Sequence, residues 1–143
     1  DIALRSLIDT LEPDLVILAG FMRILGRDLT EHFLGRMINI HPSLLPDYPG
    51  LNTHVRVLAD GALEHGATVH FVTSELDAGP IILQRRMAIR SDDTSLTLAE
   101  KVHQCEHKIY PKAIDWFATG RLRLIEGIAY LDGTPIKYLE PSS

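Results

Sequence analysis

Asn39 and His41 stand two residues apart at the end of an apolar run, Met37-Ile38-Asn39-Ile40-His41, which leads into Pro42-Ser43-Leu44-Leu45-Pro46-Asp47-Tyr48-Pro49-Gly50. Side chains alternate along a strand, so the amide and the imidazole share one face. An amide that donates to an oxyanion, beside a ring that trades a proton near neutral pH, suits acyl-type transfer. The prolines restrict φ and stiffen the loop that follows. An Asn and a His at a strand end also serve simply to satisfy turn hydrogen bonds. At this point both readings stand.

Asp77 lies in the turn cluster Glu75-Leu76-Asp77-Ala78-Gly79-Pro80. A carboxylate there can reach a neighbouring strand's terminus. Facing His41, it would favour the imidazolium and raise the ring's pKa above its usual value of about 6.5. The commoner role of a turn Asp is to bond its own backbone.

His103, Glu106 and His107 fit the H-x-x-E-H pattern of inverted zinc peptidases, with two His on one helix face. A third protein ligand cannot be singled out, so a polar helix face is the simpler reading and no metal is expected. Glu106 could instead hydrogen-bond a hydroxylated ligand. Arg23, just past Gly20, is either an anion clamp or a solvated loop residue. His70, between Val69 and Phe71, is either on a half-polar face or near a site. His32, His54 and His65 read as surface residues. Cys105 has no flanking base and reads as a small buried side chain.

The elements that must position these groups follow from periodicity. Ile2, Leu4, Leu7, Ile8 and Leu11 recur at helical spacing, and Pro13 closes the segment. The apolar run 14–20 suits a strand buried on both faces, with residues 21–26 as the ligand-side loop at its carboxyl end. A short helix is predicted over 28–33, a strand over 36–40, and a helix over 54–60 capped by Thr53. Strands are predicted over 67–73 and 81–89, the latter as an edge. The longest helical pattern covers 95–118, capped by Thr94 or Ser95, and Pro111 should kink or split it. A strand near 122–125 and a hairpin turning at Asp132-Gly133 complete the chain. Alternating strands and helices imply an α/β fold, with residues 1–143 as one domain.

The chain has 143 residues, a net charge of −5, and 45% apolar and 23% charged residues. That is an ordinary globular composition, with enough chain for a real core. The acidic balance and the lack of a basic run argue against nucleic acid as the partner. No apolar run approaches bilayer length, so no membrane association is expected. The single cysteine excludes an internal disulfide and points to a reducing, cytoplasmic compartment.

Taken together, the motifs resemble the formyltransferase superfamily, and within it the phosphoribosylglycinamide formyltransferase branch. The resemblance rests on Ala19-Gly20-Phe21-Met22-Arg23-Ile24-Leu25, on Asn39-x-His41-x-Ser43-Leu44-Leu45-Pro46, and on Tyr48-Pro49-Gly50-Leu51 with Thr53-His54. It continues through Val69-His70-Phe71-Val72, Leu76-Asp77 with Gly79-Pro80, and Glu106-His107-Lys108-Ile109-Tyr110-Pro111. The resemblance implies a Rossmann-like, mostly parallel twisted sheet flanked by helices. It implies formyl transfer from 10-formyltetrahydrofolate to the amine of glycinamide ribonucleotide in purine synthesis, with no metal. Its alternatives are a formyltetrahydrofolate deformylase, another formyltransferase, or a folate-binding fragment without turnover.

By the same carry-over His41 is the general acid, Asp77 keeps it charged, and Asn39 holds the oxyanion. Met22, Arg23, Ile24, Leu25, Asn39, Ala78 and Gly79 would contact the folate. Glu106, His103 and His70 would contact the nucleotide. Two departures stand out. Only Thr68 supplies a hydroxyl before the Val69-His70-Phe71 strand, where the family often has two, so one hydroxyl remains to support Asp77. His103 replaces a frequent Gln. The resemblance also implies an N-terminal glycine-rich phosphate loop that these residues lack, so the chain is expected to be the later part of a longer protein and to bind the nucleotide poorly. A bared edge of the strand over 14–19 would then invite self-association into a homodimer.

Overall fold

The computed structural model describes residues 2–20 and 24–136. In chain order the elements are α1 (Ile2–Leu11), β1 (Val16–Leu18), α2 (Arg27–His32), β2 (Met37–His41), α3 (Thr53–Ala59), β3 (Glu64–Phe71), β4 (Ile81–Ala88), α4 (Ser95–Ala118), β5 (Leu122–Ile125), β6 (Ile128–Leu131) and β7 (Thr134–Pro135). β1 to β4 form a sheet in the order β1-β2-β3-β4, and β5 to β7 form a small antiparallel meander. The α/β class therefore holds.

Strand direction differs from the expectation of a mostly parallel sheet. Only β1 and β2 run parallel; β2–β3 and β3–β4 are antiparallel. For β3 and β4 the reason lies in the connection. Residues 72–80 between β3 and β4 form a turn too short for the crossover that parallel pairing needs. The β2–β3 connection, residues 42–63, carries α3, which packs on α4, and the chain returns antiparallel to β2. β1 also departs from the expectation of burial on both faces. It is an edge strand of three residues, and Ile17 is 43% exposed.

The core lies between the sheet and α4. Ile38, Ile40, Val69, Phe71, Ile82 and Leu83 face Val102, Ile109, Ala113 and Trp116. A capping box opens α4: the Thr94 hydroxyl accepts from the Thr97 amide, and the Thr97 hydroxyl accepts from the Thr94 amide. Pro111 does not split the helix. Buried Ile109, Tyr110 and Ala113 pin it on both sides of the proline, and the Tyr110 hydroxyl reaches the carbonyls of Leu18 and Ile38. That anchorage outweighs one lost backbone hydrogen bond. A second cluster, Leu29, Phe33 and Met37 with Leu4 and Ile8, holds α1 and α2 beside the sheet. Among the described residues no helix is long and apolar enough to cross a membrane.

Candidate active site

β2 ends in Asn39 and His41, and β3 pairs with it so that Asn39 faces His70 and His41 faces Thr68. Beyond β3 the turn brings Asp77 back over the same strand ends. His41 Nδ1 lies 3.5 Å from Asp77 Oδ2, with both side chains only 7% exposed. His41 Nε2 donates to the Tyr48 carbonyl at 2.8 Å. Both ring nitrogens thus face oxygen atoms. Asp77 Oδ2 also accepts the Gly50 amide at 2.8 Å. Asp77 holds φ at +52°, a left-handed conformation that Asp tolerates better than most residues.

Asn39 is oriented by His70. His70 is buried, its Nδ1 donates to the Phe71 carbonyl at 3.0 Å, and its Nε2 is left to accept from Asn39 Nδ2 at 3.3 Å. That assignment needs a neutral ring, and burial pushes the His70 pKa down accordingly.

The Thr68 hydroxyl does not support Asp77 directly. It donates to the Ser43 carbonyl at 2.7 Å and accepts from the Leu45 amide at 3.0 Å and Gln84 Nε2 at 3.1 Å. Its work is to fasten the loop after His41 to the sheet.

An open cavity of about 1170 Å³ runs from this trio to α4, lined by Asn39, His41, Asp77, His54, Glu106 and His107 among others. Of the expected nucleotide contacts, Glu106 and His103 line this cavity, whereas His70 faces a smaller adjoining recess shared with Ile24, Leu25, Asn39 and Asp77. His103 is 72% exposed and pairs with Glu106 at 3.0 Å. Burial pushes the Glu106 carboxyl up, against the pull of His103 and His107. Of the expected folate contacts, Ile24 and Leu25 line the recess, while Ala78 is exposed and Gly79 packs against the end of β3. Met22 and Arg23 lie outside the described residues.

Residues 1–114 match the family described as formyl transferase. The chain belongs to the formyl transferase family. It is 53% identical over 126 residues to a phosphoribosylglycinamide formyltransferase of Escherichia coli K12, covering 88% of this chain and 59% of that protein. A protein of the same name from Haemophilus influenzae is 47% identical over 133 residues, covering 93% of this chain and 63% of the relative. The solved phosphoribosylglycinamide formyltransferase of Coxiella burnetii superposes with a TM-score of 0.91 at 54% identity, covering 94% of this chain and 64% of that one. The chain thus spans about three-fifths of the length of the curated relatives it matches.

One feature of this formyl transferase chain escaped the sequence reading. β3 begins at Glu64, three residues earlier than predicted, which carries His65 into the sheet at 1% exposure. Its Nε2 meets His54 Nδ1 at 2.9 Å, and its Nδ1 is buried without a hydrogen-bond partner. Burial, with His54 and His41 nearby, holds the His65 pKa down at about 4. The folded value lies below the unfolded value of about 6.5, so neutral His65 is favourable above that pH and its contribution is lost as pH falls from about 6.5 towards 4. Between pH 7 and pH 4 the wild type should lose about 2 to 3 kcal/mol more stability than His65→Leu, which has no proton to take up. Denaturant unfolding of both proteins across this range measures the difference; parallel curves would contradict it.

Proposed function

We propose that this chain carries the reacting end of a formyl transfer from 10-formyltetrahydrofolate to the primary amine of glycinamide ribonucleotide, a step of purine synthesis. One observation carries the reading: Asn39, His41 and Asp77 converge at one end of a cavity that also takes Glu106, in a member of the formyl transferase family. Attack of the amine on the formyl carbon gives a tetrahedral species with negative oxygen and positive nitrogen. Asn39 would donate to that oxygen, as an oxyanion hole does. His41 would give a proton to the departing folate nitrogen as the C–N bond breaks and would take up the proton that the attacking amine loses, with the Asp77 carboxylate balancing the ring while it is charged. Ile24 and Leu25 offer an apolar wall beside Asn39 for the flat end of the folate, and Glu106 offers an acceptor for nucleotide hydroxyls.

Incubating the protein with formyl-folate and glycinamide ribonucleotide, and following both the folate chromophore and the product mass, tests the reading. A formylated amine formed one-for-one with deformylated folate is expected. Free formate produced without the amine would mean hydrolysis instead, and tight folate binding with neither product would mean a binding module.

A further inference from the structure

The residues bracketing Gly50 are held from outside in a way the proposed chemistry does not itself require. The loop over 42–52 supplies two backbone groups to the reacting pair: the Tyr48 carbonyl accepts from His41, and the Gly50 amide donates to Asp77. Tyr48, Gly50 and Asn52 all hold positive φ, at 52°, 83° and 56°. Two of these are not glycine, so the backbone alone does not favour this path, and surrounding contacts must impose it.

Two sets of contacts do so. On the inner side, Ser43 Oγ reaches the carbonyls of Asp47 and Tyr48 at 2.6 and 3.1 Å. On the outer side, a single nitrogen of Arg56, Nη1, donates to the carbonyls of Pro49 at 2.6 Å and Leu51 at 3.0 Å, the residues on either side of Gly50. The same guanidinium lies over the Tyr48 ring at 5.5 Å, and the Tyr48 hydroxyl donates to Asp60 at 2.8 Å. Arg56 lies on α3 and Asp60 ends it, so one helix presents a cation and an anion to the loop.

We propose that Arg56 is a positioning residue: it latches the residues around Gly50 to α3 and so fixes the amide that orients the Asp77 carboxylate towards His41. It touches no reacting atom. This role rests on reading His41 and Asp77 as the reacting pair, whereas the latch itself can be observed without turnover.

The test uses the full chain and three proteins: wild type, Arg56→Ala and Arg56→Lys. The Gly50 amide, read by hydrogen exchange without substrates, should exchange about tenfold faster in Arg56→Ala, while the Val69 amide within the sheet keeps its protection. Both latch bonds leave one nitrogen, so a lysine ammonium can make them, and Arg56→Lys should restore most of the protection. With substrates, Arg56→Ala should lower kcat several-fold with KM little changed, and Arg56→Lys should recover it. Unchanged Gly50 exchange in Arg56→Ala, or a lysine variant indistinguishable from the alanine variant, overturns the proposal. Faster Gly50 exchange in Arg56→Ala, with a wild type that itself transfers no formyl, would leave the latch standing and remove the catalytic reading instead.

Discussion

Asp77→Asn is expected to lower kcat for formyl transfer by roughly two to three orders of magnitude while leaving the fold in place. Asn is nearly isosteric, tolerates the positive φ held at this position, and keeps an oxygen to accept the Gly50 amide. What it removes is the negative charge 3.5 Å from His41 Nδ1. Without that charge the ring loses the carboxylate packed beside it as the proton moves, because the amide oxygen that keeps the Gly50 bond is neutral. His41→Ala should cost a similar factor, and the double variant little more, because two residues acting as one unit are not additive. Steady-state kcat across pH, with unfolding midpoints as the fold control, measures both points. Near-wild-type kcat in Asp77→Asn at every pH would remove Asp77 from the mechanism.

The parts of this site legible in the sequence are those set by local geometry. The two-residue spacing of Asn39 and His41 places them on one face of β2 whatever the rest of the chain does. The cap of α4 at Thr94, its extent, and the turn at Asp132-Gly133 are equally local and fall where the pattern puts them. Long-range facts were not legible in the local pattern, and the pairing of Asp77 with His41 stood there only as an option until the resemblance implied it. That Asp77 faces His41 depends on β3 running antiparallel to β2, which no residue of either strand encodes alone. Thr68 offered one hydroxyl near Asp77 in sequence terms, yet pairing of β3 with β2 and β4 turns it towards Ser43, Leu45 and Gln84. His54 and His65 read as surface residues because the sequence names no partner for either; tertiary packing sets one against the other. Arg56 carried no signal, since its partners are backbone carbonyls and any sequence supplies those.

Gly79→Ala is expected to be the most damaging single methyl group near the site. A Cβ at Gly79 would stand 1.8 Å from the Phe71 carbonyl oxygen and 2.9 Å from its carbon. Both are backbone atoms at the end of β3, and the Phe71 amide is itself bonded to the Pro80 carbonyl at 3.0 Å, so no side chain can swing aside. The turn would have to lift away from β3, at a cost of about 2 to 4 kcal/mol. Asp77 is two residues upstream in that turn and would move with it, away from His41 and Gly50. Gly66→Ala supplies the comparison: its Cβ would stand 1.9 Å from the Arg85 carbonyl oxygen, an equally severe clash in the pairing of β3 with β4. The two variants should therefore lose stability alike. At a temperature where both remain folded, Gly79→Ala should lose most of its kcat, and Gly66→Ala should keep far more of it. If the two lose activity in equal measure, the turn is only a connection between strands, and its close approach to Phe71 has no part in setting the carboxylate.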